Sequence, residues 1–149
     1  MVFNISSPLA SKSNHRHSLN NKGSSAAWRR FKGFEDSLRI DALNALPKTW
    51  PDLLKDSPLA SRPKVAVVIY ASSLIDAANL PKSITDALEG VCFANDASAV
   101  AVSCVVERSS TSKAAVAIAA FDPKTPTSVL TDSLRDLHVM AFELFSNNV

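Results

Sequence analysis

The apolar and polar positions divide the chain into a long helical stretch, a continuous β-type run, a short helix, two further strands and a final helix. Trp28, Phe31, Phe34, Leu38, Ile40, Ala42 and Leu46 recur at helical spacing, so a helix is expected from Ser24 or Ser25 to about Leu46, where Pro47 ends it. Lys64–Tyr70 (KVAVVIY) is β-branched without a polar break, the pattern of a central strand covered on both faces. Asn79–Glu89 predicts a second helix, with Asn79 as N-cap, Pro81 in the first turn and Gly90 just past the end. Leu80, Ile84, Ala87 and Leu88 share one face of it, and Lys82 and Asp86 stand i,i+4 on another.

Two strands are expected next, Ala99–Glu107 and Lys113–Phe121, joined as a hairpin by the polar turn Arg108–Ser112. Val100, Val102, Cys104 and Val106 make a bulky face on the first. Ala115, Ala117 and Ala119 make a row of small residues on the second, suited to core packing or to close approach by a helix or a second subunit. A last helix is predicted over Ser128–Phe145, whose wide apolar stripe either closes the core or meets a second copy. With a short strand around Val2–Ile5, the order is β-α-β-α-β-β-α. That order argues a single α+β domain with a mixed β-sheet and flanking helices, spanning 24–149 behind a basic, partly irregular segment 1–23. Pro47–Pro63 reads as a linker with a short helical turn at Asp52–Lys55 and no chemistry of its own.

Charge changes the picture in one place. The net charge is +2, yet residues 1–34 hold six of the 16 Lys and Arg residues and no acid. The remainder carries 10 basic against 14 acidic residues, a net of −4. The basic stretch is either a polyanion contact, with Lys12, Arg16, Arg29 and Arg30 as phosphate-facing candidates, or a solvated tail. Being rich in Ser and Asn as well, residues 1–32 also have the composition of an organellar transit peptide, whereas the absence of an apolar h-region argues against a secretory signal. No apolar run approaches the length of a membrane span, so a cytoplasmic protein with no membrane partner is expected. Cys92 and Cys104 lack metal-ligand spacing, and the three histidines are scattered, so buried reduced thiols are expected rather than a zinc site.

The chemistry concentrates between Leu74 and Asp96. Asp76 follows the central strand, Asp96 precedes the next, and Lys82 lies one helical turn in from Asp76. Phosphodiester hydrolysis needs hard oxygen ligands from different elements to hold a divalent metal, and a cation for the phosphate or the leaving group. Two acids and a lysine at element ends are equally what an ordinary surface provides.

The run Asp76-Ala77-Ala78-Asn79-Leu80-Pro81-Lys82, then Asp86-Ala87-Leu88-Glu89-Gly90, then Asn95-Asp96 before a valine-rich strand, resembles the RusA-type Holliday-junction resolvases. Those proteins show Asp-x-Asp-Asn-x-x-Lys, then Asp-Ala-Leu, then a paired Asp-Asp. Ser11-Lys12-Ser13-Asn14-His15-Arg16 loosely resembles their N-terminal loop, which makes a transit peptide the weaker account of the tail. The resemblance covers residues 64–120. It implies a homodimeric, Mg²⁺- or Mn²⁺-dependent endonuclease that nicks a four-way DNA junction symmetrically in recombination and repair, with a bacterial, phage or organellar setting left open. Asp76 and Asp96 would fall on metal-binding positions, with Asn95 beside them, and Lys82 on the catalytic lysine. Lys12, Asn14, Arg16, Arg29 and Arg30 would contact DNA, and Asn79 and Asp86 would support the motif.

Two positions depart from the pattern. The second aspartate of Asp-x-Asp is Ala78, and the first of the Asp-Asp pair is Asn95. In an extended segment 76 and 78 point to the same side, so Ala78 removes one carboxylate from beside the metal. Asn95 keeps an oxygen without the charge. Three accounts of Ala78 stand open: an inactivated Asp→Ala form of a cutting parent, a natural junction binder that does not cut, or substitution by another acid.

Overall fold

The computed structural model describes residues 1–11, 26–54 and 58–148. Its elements are β1 (Val2–Ile5), α1 (Ala26–Ala45), β2 (Lys64–Ser73), α2 (Leu80–Leu88), β3 (Ala99–Arg108), β4 (Lys113–Phe121) and α3 (Thr127–Asn147). The four strands form one mixed sheet in the order β1-β4-β2-β3. β2 is the strand around which it is built. Val65 through Ile69 have no exposed surface, because both faces are covered and both edges are paired.

Odd-numbered residues of β2 (Val65, Val67, Ile69, Ala71) face α1 and α2. There they pack with Phe31, Phe34, Leu38, Leu80, Ile84 and Leu88 and with Phe3 and Ile5 of β1. Even-numbered residues Ala66 and Val68 face α3, and Ala117 of β4 joins them against Leu137 and Ala141. Ala117 and Ala119, from the row of small residues, thus lie on the α3 side of β4. The result is a sheet between two helical layers, with the period-2 alternation of β2 deciding which side chain meets which layer.

The expected hairpin does not form. β3 pairs with β2 in parallel, β4 pairs with β2 antiparallel, and β2 lies between them. Arg108, the last residue of β3, is opposite Ser73, and Lys113, the first of β4, is opposite Ser72, so residues 109–112 cross over the end of β2. The Ser72 hydroxyl holds that of Thr111 at 2.8 Å, and Ser109 N–H donates to the Ser73 carbonyl at 3.4 Å. A strand apolar on both faces is most stable between two neighbours, and that tertiary demand outweighs the local preference of a short polar turn.

Three smaller expectations are corrected. Ile40 is 58% exposed, because the buried stripe of α1 runs through Phe31, Phe34, Glu35, Leu38 and Ala42. Only Leu130, Leu137 and Ala141 of α3 are buried, leaving Val129, Val139, Met140 and Phe142 exposed. Residues 51–54 form no helical turn, although a 3-10 turn occupies Leu59–Ser61, and Lys55 lies outside the described residues. The linker nevertheless anchors the fold. Trp50 Nε1 donates to the Cys92 carbonyl at 3.1 Å, and Ala94 N–H donates to the buried Leu53 at 2.8 Å. Among the described residues, no helix is long and apolar enough to cross a membrane.

Both cysteines are free. Burial pushes the Cys92 thiol up to about 12 and Cys104 to about 11, from an ordinary 9.0. The unfolded chain ionises its thiols near 9.0 while the folded chain does not. Stability is therefore full below that pH and declines as the pH rises from 9 toward the raised values. Thermal unfolding followed across that range should show Tm falling with pH, less steeply in Cys92→Ala than in the parent. Ile84→Ala, which opens a void beneath α2, should cost about 2–5 kcal/mol in chemical denaturation.

Candidate functional site

α2 owes its position to apolar side chains and its start to an acid. Leu80, Ile84, Ala87 and Leu88 are fully buried, and Arg39 of α1 donates from Nε to the Ala87 carbonyl at 3.1 Å. Asn79 was expected as the N-cap, but its backbone is already helical (φ −92°, ψ −33°) and its side chain makes no capping bond. Asp76 does that work. Its Oδ1 accepts from Ala78 N–H at 3.0 Å and Asn79 N–H at 2.9 Å, and its carbonyl accepts from Leu80 N–H at 3.2 Å. Asn79 Nδ2 donates to Asp76 Oδ2 at 2.8 Å. Both carboxylate oxygens are thus held over the first turn of the helix, where the helix dipole favours negative charge.

This corrects the extended geometry expected for the Asp-x-Asp segment. β2 ends at Ser73, and residues 77–79 form a turn, so 76 and 78 are not alternate residues of a strand. Ala78 is exposed on that turn. Pro81 sits in the first turn as expected, and Gly90 takes φ 80°, a left-handed conformation that terminates the helix.

Lys82 projects from the same helix into a pair of acids. Its Nζ lies 2.5 Å from Asp86 Oδ1 and 3.4 Å from Asp96 Oδ2. Asp96 opens the 3-10 turn Asp96–Ser98, and Asn95 caps that turn by accepting Ala97 N–H at 2.9 Å. The structure therefore brings Lys82, Asp86 and Asp96 together, with Asn95 alongside in sequence. Asp76 makes its hydrogen bonds to Ala78 and Asn79, and none joins it to Lys82 or Asp96. Parallel pairing of β2 and β3 accounts for the separation: Asp76 follows the C-terminal end of β2, whereas Asp96 precedes the N-terminal end of β3, whose Ala99 is level with Val65.

Beside Asp76 opens a cleft of about 350 Å³, lined by Leu9, Ser11, Ser73, Asn79, Thr111 and Ser112 among others. Besides that of Ser11, its hydroxyls come from the end of β2 and from the crossover 109–112. No sequence signal marks them, because they converge only once β3 and β4 flank β2. Ser11 on its wall is the last described residue before the basic segment, so Lys12, Asn14 and Arg16 lie outside the described residues. Arg29 and Arg30 are exposed near the start of α1. Lys32 pairs with the buried Glu35, which Arg39 also approaches at 3.8 Å.

Around Lys82 the two carboxylates Asp86 and Asp96 outnumber the single ammonium, and such oxygen donors are of the kind a hard divalent cation takes. The arrangement is nonetheless incomplete. Among the described residues no three acids, histidines or cysteines stand close enough to hold a metal ion, and Ala78 offers no oxygen.

Fold and site together define an α+β domain with an acid–lysine cluster at a β-α-β crossover. The sequence profile of the endodeoxyribonuclease RusA family matches residues 12–119, well over half of the chain and all of the Asp76–Asp96 stretch. The chain belongs to the RusA endodeoxyribonuclease family, whose members act on branched DNA junctions and are generally dependent on a divalent metal. A search of curated proteins returned no match. α3 lies beyond the matched span.

Lys82 is raised above its ordinary 10.5, chiefly by the hydrogen bond it donates to Asp86, opposed by partial desolvation and reinforced by the charges of Asp86 and Asp96. Since the folded value is the higher one, what this pairing adds to stability is present below pH 10.5 and lost as the pH climbs past it. Lys82 is thus a fixed cation, not a base. An NMR titration of its side chain should show no deprotonation between about pH 6 and 10. Asp76→Ala should cost about 1 kcal/mol through loss of the cap, while Asp76→Asn, which keeps an acceptor at Oδ1, should cost less.

Proposed function

We propose that this chain binds four-way DNA junctions as a homodimer and that its hydrolytic centre lacks one carboxylate, at Ala78. The contact between Lys82 and Asp96, made across 14 residues inside the family-matched span, carries the reading. It supports a site assembled by folding rather than charges scattered on a surface. In this reading Asp96 and Asn95 face a metal beside Lys82, which neutralises a phosphate oxygen or the leaving group. Asp76, held over the start of α2 and not bonded to that group, would face the same metal only once the two are drawn together. Asp86 positions Lys82 and keeps it protonated. Asn79 orients Asp76. Lys12, Asn14, Arg16, Arg29 and Arg30 meet the DNA backbone, the first three coming soon after Ser11 in the sequence. A bound Mg²⁺ or Mn²⁺ would supply an activated water and charge neutralisation. The residues as they stand do not complete its site.

A second reading, a branched-DNA-binding protein without cleavage in recombination or repair, is favoured by one observation: the described residues hold no three-ligand group. Cleavage of a synthetic four-way junction with Mg²⁺ or Mn²⁺ distinguishes the two. The chain as given should bind the junction with strong salt dependence and cut it weakly or not at all. Ala78→Asp should raise cutting by at least about 100-fold, and adding Lys82→Ala to it should abolish the gain. Failure of the Ala78→Asp form to cut sinks the nuclease reading. Failure to distinguish a junction from linear duplex sinks both.

A further inference from the structure

A second groove, of about 290 Å³, opens at the start of β2, at the other end of that strand from the cleft beside Asp76. Arg62 and Pro63 reach it from the linker, Lys64 from β2, Ala97 and Val100 from the turn and strand after Asp96, and Pro123 from beyond β4. The two prolines stiffen its walls, because their rings fix φ. Apart from Arg62 and Lys64 those walls are apolar, and among the described residues no acid stands on them. Lys64 Nζ donates to the Thr125 carbonyl at 2.9 Å, leaving two of its three donors open. Ala97 is the chain neighbour of Asp96, so the groove begins one residue from the contact between Asp96 and Lys82. Both of those side chains are more than half exposed, at 55% and 62%, and stand within reach of anything lying along the groove.

Building on the DNA-binding reading above, we infer that this groove holds one phosphate and its deoxyribose on the strand that passes Lys82, a nucleotide or two from the phosphate that Lys82 meets. Asp86 and Asp96 outnumber the ammonium of Lys82, so a polyanion approaching it is repelled unless further cations lie alongside. The cleft beside Asp76 has none on its wall among the described residues, whereas this groove has two. Its chemistry is that of a sugar-phosphate unit. Arg62 can meet two phosphate oxygens with its planar fork and Lys64 a third as a point charge, while Pro63, Val100 and Pro123 give the sugar an apolar surface. A strand advances about 3.4 Å per nucleotide and neighbouring Cα atoms stand about 3.8 Å apart, which sets the spacing between the two phosphates. The linker before β2, which carries no chemical signal in its sequence, thereby acquires a role in holding substrate.

Fluorescence anisotropy of a labelled four-way junction, titrated with the intact chain over a range of salt concentrations, tests the assignment, with circular dichroism showing that each variant folds. Arg62→Gln and Lys64→Gln should each make the slope of log affinity against log salt shallower by about 0.9 and weaken binding about tenfold near 0.1 M salt. Arg62→Lys, which keeps the charge, should retain the parent's slope. So should Arg135→Gln, an exposed cation on α3 across the sheet from α2. A second arm replaces single phosphates of one junction strand with neutral methylphosphonates. One position should weaken the parent but not the Arg62→Gln, Lys64→Gln double variant, and it should lie a nucleotide or two from the position that Lys82→Gln masks in the same way. Unchanged slopes in both glutamine variants overturn the inference while leaving junction binding intact. A masked position remote from that of Lys82 overturns it too. A parent that binds linear duplex as tightly as the junction removes the junction reading, and the slopes still decide the groove. A parent that binds no DNA overturns both.

Discussion

A strand that is apolar on both faces has to be covered on both faces and paired on both edges, and β2 imposes that requirement on the whole chain. α1 and α2 supply one cover, α3 the other, and β3 and β4 take the two edges. The crossover at 109–112 passes over the end of β2 because β3 and β4 must lie on opposite sides of it. The hydroxyl-lined cleft follows from that crossover. So does the separation of Asp76 from Asp96, since a parallel partner must begin where β2 begins while Asp76 follows where β2 ends.

α2 connects the strand requirement to the chemistry. Its buried face fixes it to the core, and Asp76 at its start satisfies backbone donors that would otherwise be orphaned. Asp76 is therefore committed to the cap, and the metal-facing role proposed for it has to be met from that position. Lys82 is shared in the same way, between Asp86 on its own helix and Asp96 on the following turn. A protein in which those groups are already engaged has its acids and its cation in place before any nucleic acid arrives.

Several features were legible before folding because they depend on near neighbours in the chain. The burial of β2, the i,i+4 pairing of Lys82 with Asp86, the break at Gly90 and the outline of α1, α2 and α3 follow from spacing within a few residues. Asp76 as the helix cap was misread in favour of Asn79, since a carboxylate three residues upstream can fold back over the turn and compete for the same donors. Ile40 and much of the α3 stripe were overcounted as core. Apolar character alone does not say how wide a face the neighbouring layer covers.

The sequence by itself determined the outline of the helices, the burial of β2, the motif from Asp76 to Asp96 and the alanine at 78 within it, because each is written in local order and residue type. Only the tertiary structure decided that β3 and β4 flank β2 instead of pairing with each other. It also decided that serines and threonines from distant segments wall the cleft, and that Lys82 reaches Asp96 while Asp76 does not. Those outcomes turn on which surfaces must be buried together, a property of the whole set of elements that no short window of sequence contains.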